Sequence, residues 1–308
     1  MSQVRTAPAR PVPEAPAAPP DGGHVADRLR LVAAAALFST GGAAIKATAL
    51  TGWQVASFRS GIAALAVLLL VPAARRGWSP RVALVSLVYA TTMILFVVAN
   101  KATTAANAIF LQSAAPLYVL VLAPLLLGER ARRLDFVTMA AIAAGLALVL
   151  AGLPPAAATA PNPVLGNAAA VASGMAWALT LIGLRWLSAG EGGGDATLAT
   201  VVGGNALACL LCLPLAFPVA GATAIDWTIV AYLGVFQIGL AYLLMTRGIR
   251  GVPALEASML LLVEPALNPV IAWLVHDEAP GLLPTLGGAL ILLATVLRAW
   301  AAARARPR

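Results

Sequence analysis

From Arg28 onward the chain alternates long apolar windows with short clusters of charge. Windows 82–100, 102–128, 196–225, 227–246 and 279–297 carry no charged residue, and window 136–184 runs 49 residues without one. A helix needs about 20 mostly apolar residues to cross a bilayer. Pro154, Pro155, Pro161 and Pro163 divide the longest window into two spans and a loop. Three further windows hold internal charge: 29–50 with Lys46, 53–74 with Arg59, and 252–275 with Glu256 and Glu264. The pattern predicts an all-α integral membrane protein of ten transmembrane helices.

Composition supports a bilayer setting. Hydrophobic residues make up 61% of the 308, charged residues 10%, and the mean hydropathy is +0.90. A cytosolic enzyme needs more polar surface than this, and two cysteines are too few for a disulfide-stapled secreted domain. The net charge of +8 lies in small clusters between apolar runs. It forms no basic stripe of the kind that binds nucleic acid. Such clusters set topology. With the N-terminus inside, only Lys46, Arg59 and Lys101 lie toward the outside, and both termini are expected in the cytoplasm. Residues 1–27 are Pro- and Ala-rich without an apolar run and read as a disordered tail. An Arg- and Ala-rich composition points to a bacterial inner membrane.

The chain also repeats itself. A shift of 149 residues lays Pro116 on Pro265, Glu129 on Glu278 and Lys101 on Arg250. A shorter shift lays Phe38 on Trp177 and Lys46 on Arg185. The expected units are residues 28–153 and 164–302, joined by a linker at 154–163 and followed by a basic tail at 303–308. Five helices per unit is an odd number, so the second unit is expected upside down relative to the first, a plan common among secondary transporters.

Several local motifs point to a family. Phe38-Ser39-Thr40-Gly41-Gly42, Phe58-Arg59-Ser60 and Pro116 followed by Gly128-Glu129-Arg130 occur in order in the first unit. Glu264-Pro265-Ala266-Leu267-Asn268-Pro269-Val270, closing at Asp277-Glu278, occurs in the second. With these the chain resembles the EamA family of the drug/metabolite transporter superfamily, ten-helix inner-membrane carriers, over residues 28–302. Asp277 stands where that family usually has Gly. The resemblance implies a carrier exporting amino acids, metabolites or drug-like compounds, and names no substrate.

The candidate chemistry is sparse. Arg59 lies about two turns into its helix, where a charge costs roughly 2.5–3.5 kcal/mol on insertion scales. It is either an anchor for a solute carboxylate, or a side chain snorkelling to the outer interface or held in a structural pair. Lys46, nearer a helix end, is expected to snorkel. Glu264, before the helix-loosening Pro265, is a candidate for proton or solute coupling, with a packing role as the alternative. Glu256 is expected to cap the cytoplasmic end of the same helix. Tyr89, Asn107, Tyr118, Trp177, Gln237 and Asn268 join Arg59 as candidate lining of a solute cavity, although each alone also suits an interhelical hydrogen bond. Cys209 and Cys212 read as apolar packing, and charges at His276-Asp277-Glu278 as solvated at a helix exit. No metal or cofactor is expected, and no Walker loop or hydrolase motif occurs. The expected partners are the lipid bilayer and a small-molecule solute, not nucleic acid, with a homodimer left open. The rival readings are a non-transporting membrane partner subunit and a membrane-embedded enzyme.

Overall fold

The structure, a computed structural model, describes residues 21–127, 133–152, 155–188, 193–248 and 260–304. Regular structure among them is helical. Eight helical stretches are long and apolar enough to cross a membrane, against the ten expected. The last two helices fall short of that length in the described residues: one has 14 residues, and the apolar stretch of the other is Leu282–Leu297. Glu129, Arg130 and Glu256 lie outside the described residues.

Helix starts follow local chemistry. Thr51 opens α3 (Gly52–Leu70): its hydroxyl accepts from the Gln54 backbone N–H, and the Gln54 side chain accepts from that of Thr51. This reciprocal arrangement satisfies two otherwise orphaned donors. Thr223 and Asp226 do the same for α10 (Ala224–Tyr232). Ser79 caps α4 (Pro80–Ala102), whose first residue is a proline without an N–H to lose.

The helix breaks are where the structure departs from the apolar windows. The first window divides at Thr40 into α1 (Asp21–Ser39) and α2 (Gly41–Lys46). Helix α1 begins inside the stretch assigned to the tail. A Cβ on Gly42 would stand 2.6 Å from Asn268 Oδ1, and one on Gly41 2.8 Å from Gln237 Nε2, so a larger residue at this break would displace those side chains. Window 102–128 is not one span but α5 (Ala105–Gln112) and α6 (Ala115–Leu127). Pro116 has no N–H for the carbonyl of Gln112, and the chain turns at Ser113-Ala114 instead. Pro265 does the same in the second half: a turn at Leu262 precedes α12 (Val263–His276). The two breaks, Ser113 and Leu262, are 149 residues apart.

After α7 (Arg133–Ala151) and α8 (Pro163–Ser188), the window 196–225 also proves composite. Helix α9 (Gly193–Cys212) stops before a 3-10 turn holding Pro214, and residues 216–223 connect it to α10. A π-wound stretch, Leu233–Leu240, continues α10 into α11 (Ala241–Gly248). Such loosened turns are frequent at functional sites. The chain closes with α13 (Leu282–Arg304).

Packing pairs the two halves reciprocally. Helix α4 lies on α8 and α9, while α1 and α3 lie on α11 and the π-wound stretch. Helix α3 also meets α9, and α7 meets α13. Side chains such as Leu70, Val137, Leu274 and Leu282 are more than 65% exposed, which suits a lipid environment. At the α7–α13 contact, a Cβ on Gly145 would stand 2.7 Å from the Gly287 carbonyl, and one on Gly287 2.5 Å from that of Gly145. Small residues let the backbones meet this closely. Gly287→Val is therefore expected to cost about 1–3 kcal/mol through overpacking. Thermal unfolding in detergent checks this, and an unchanged midpoint would contradict the contact.

Candidate functional site

A cavity of about 350 Å³ lies between the halves. Its walls come from both repeats in matched pairs. Met93 and Tyr242, Phe96 and Met245, Gln112 and Leu261, Ser113 and Leu262, Ala115 and Glu264, and Pro116 and Pro265 all line it, each pair 149 residues apart. Phe38 and Trp177, matched by the shorter shift, line it too. The cavity thus lies where the two copies of one motif face each other, and both proline-induced breaks open onto it.

The matched pairs are mostly apolar or aromatic, whereas the charged groups are not matched. Ala115 is the counterpart of Glu264, and Arg59 enters from α3 alone. Arg59 is 1% exposed. One guanidinium nitrogen donates to the Met93 carbonyl at 3.3 Å, with the Met93 sulfur at 3.9 Å. Its Nε has no hydrogen-bond partner. Among the described residues, neither Arg59 nor Glu264 forms a salt bridge. A buried guanidinium without a counter-ion is costly, and here it faces a cavity large enough for a small solute. These facts argue against snorkelling and against a structural ion pair for Arg59.

Four of the eight candidate residues line the cavity: Arg59, Trp177, Gln237 and Glu264. Gln237 is presented by the π-wound stretch, close against Gly41. The other four stand elsewhere. Tyr89 is fully buried behind the wall, its hydroxyl accepting from Asn205 at 3.2 Å and its ring 5.7 Å from that of Tyr242. Asn107 donates to Asn167 at 3.3 Å, joining α5 to α8. Tyr118 lies half-buried on α6 away from the cavity. Asn268 is buried against Gly42, with both amide atoms lacking partners. Phe96, Gln112, Tyr242 and Met245 line the space but were not among the candidates. Applying the 149-residue shift to every aromatic and polar position would have found them.

Two expectations fail at the far end of the bundle. Lys46 does not snorkel: its ammonium is buried, 3.1 Å from Glu278 Oε1. Glu278 is not solvated either; it is 7% exposed, and its Oε2 accepts from the Ala105 N–H at 2.7 Å. Asp277, with φ 54°, takes the left-handed conformation that ends α12 and turns the chain inward. It occupies a place that glycine fills at less cost. Cys209 packs against Gly61 and Ser57. Among the described residues, no group of three or more His, Cys, Asp or Glu side chains is placed to hold a metal.

The profile of the EamA-like transporter family matches residues 29–151 and again residues 164–300. The chain belongs to the EamA-like transporter family. It is a multi-pass membrane protein of the drug/metabolite transporter superfamily, and that family is one of transporters, not of enzymes. A crystal structure, described only as that of a protein, shares the fold with a TM-score of 0.61 at 21% identity, over 92% of this chain and 99% of the other. No curated protein matches the sequence. The double family match corresponds to the two copies that build the cavity of this EamA-like chain.

Proposed function

We propose that this EamA-like protein is a secondary transporter that exports a small organic solute by alternating access, through the cavity between its halves. The observation that carries this reading is the cavity wall built twice from residues 149 apart, with unmatched charges from Arg59 and Glu264. A site shared by two inverted units is one that rocking of the units exposes to each side in turn. The reciprocal contacts, α4 on α8 against α1 on α11, support inversion, because a two-fold exchange of halves turns one contact into the other. The proposal includes ten helices in two inverted five-helix units; the basic clusters support cytoplasmic termini, and the Arg- and Ala-rich composition a bacterial inner membrane.

The charges narrow the solute. Arg59 suits a carboxylate, Glu264 an ammonium or a proton, and Phe38, Phe96, Trp177 and Tyr242 an apolar body. A zwitterion of amino-acid size meets all three. One carboxylate holds either a proton or an ammonium, so proton and solute exclude each other at Glu264. Exclusion of that kind gives antiport, with proton entry driving solute exit.

The test is solute flux into inside-out vesicles holding the purified protein, with zwitterions, organic cations and organic anions offered with and without an imposed pH gradient. Saturable uptake of zwitterions that follows the gradient is the expected result. Uptake of simple cations or anions in preference would overturn the zwitterion reading. No flux across the panel, together with a protein subunit co-purifying at fixed stoichiometry, would favour the partner-subunit alternative.

A further inference from the structure

We propose that Lys46 and Glu278 form a latch that holds one end of the transport path shut, so that this end opens only when their ion pair separates. The pair joins the halves directly: Lys46 ends α2 of the first, and Glu278 follows α12 of the second. Both side chains are at most 5% exposed. Each also holds a neighbour. Lys46 donates to the carbonyls of Thr103, at 2.7 Å, and Thr159. Glu278 satisfies the first N–H of α5 through its other oxygen. Four segments therefore converge on two opposite charges: α2, the α4–α5 junction, the connection before α8, and the end of α12.

The position of this cluster suits a closure. Leu261 and Leu262, which line the cavity, precede α12, whereas Glu278 follows its last residue. The cavity thus reaches toward one end of α12, and the ion pair sits at the other, about 20 Å away for 14 residues. A second charge cluster shares the closed end. Lys101 donates to the Thr48 carbonyl at 2.7 Å, and Asp226 accepts from the Ala49 N–H at 2.7 Å, fixing the turn after α2.

The chemistry is that of a contact made to open. Lys46 directs hydrogen bonds at the two carbonyls, and Glu278 Oε1 accepts none. The Lys46 ammonium also stands 3.1 Å from Glu278 Oε1, where the two opposite charges attract. Removing one partner leaves the other buried and uncompensated, which strongly favours any state in which it meets water.

The inference rests on the alternating-access reading, and its test is independent of any solute. In full-length protein carrying Cys209→Ser and Cys212→Ala, a Ser113→Cys substitution places a reporter thiol in the cavity. An impermeant maleimide is then applied to intact cells from the side of Lys46. Glu278→Gln, which keeps an acceptor for Ala105, and Lys46→Met are each expected to raise the labelling rate about tenfold. The double variant is expected to label more slowly than either single one, because neither charge is then left buried without its partner. Lys46→Arg, which keeps the charge, is expected to label as slowly as the parent, which a general loosening of the fold would not produce. Unchanged labelling in both single variants would overturn the latch, as would a double variant whose increase is the product of the two. Latch-dependent labelling without flux would sink only the solute reading, whereas gradient-driven flux with latch-independent labelling would sink only the latch.

Discussion

Arg59→Ala is expected to reduce kcat/KM for saturable zwitterion uptake by at least about 100-fold in reconstituted vesicles. The guanidinium is buried, lines the cavity and has no carboxylate partner among the described residues. A solute carboxylate would be its counter-ion, and removing one member of a buried pair costs about 3 kcal/mol or more, because the other charge is left uncompensated. At 1.36 kcal/mol per tenfold change, that is about 150-fold. Arg59→Lys separates charge from geometry. It keeps the cation but loses the fork that grips a carboxylate at two points, so KM is expected to rise about tenfold. A purely structural arginine predicts the reverse pattern. Arg59→Met would then retain uptake and gain stability, because a buried unpaired cation had been removed. Retained uptake in the Met variant would sink the anchor role.

Glu264→Gln is expected to abolish the part of uptake that follows an imposed pH gradient, a loss of at least about 30-fold. The Glu264 carboxyl faces the cavity just before a proline and makes no salt bridge among the described residues. Its state is therefore set by what enters the space. An amide neither takes up and releases a proton nor neutralises an ammonium, and the lost charge pairing is worth about 2 kcal/mol or more in a desolvated site. The two substitutions are distinguishable. Arg59→Ala lowers uptake with or without a gradient, whereas Glu264→Gln removes the acceleration that the gradient provides. A Glu264→Gln variant that still follows the gradient would leave Glu264 without a coupling role.

Much of this architecture is legible in the sequence because a bilayer allows few alternatives. Backbone groups in lipid must be satisfied within the segment, so an apolar window long enough to span becomes a helix. The breaks were harder to place. Pro116 and Pro265 announce that hydrogen bonds are missing, but not that the two resulting turns face one another across a cavity. At the division after Thr40, Gly41 and Gly42 meet Gln237 and Asn268, which lie almost 200 or more residues away. Lys46 and Glu278 misled for a related reason. A charge near the end of an apolar window reads as solvated, and only the folded chain shows that each has the other. Polar or amphipathic residues within apolar spans identified Trp177 and Gln237 but also Tyr89 and Asn107, which bond to neighbouring helices instead. Polarity marks a residue that needs a partner; it does not say whether that partner is protein or solute.

The touching glycines of α7 and α13 have a consequence for motion. Each is the last helix of its half, so exchanging the conformations of the two halves maps the packing of α7 on α13 onto itself, although Gly145 and Gly287 are not counterparts under the 149-residue shift. The contacts α4–α8 and α1–α11 are different, because an exchange trades one for the other. A rocking carrier therefore has no reason to part α7 from α13 at any point of its cycle, although the glycines themselves are free to slide. In the alternating-access cycle proposed above, α7 and α13 would serve as the fulcrum, and the remaining helices as the arms that tilt about it.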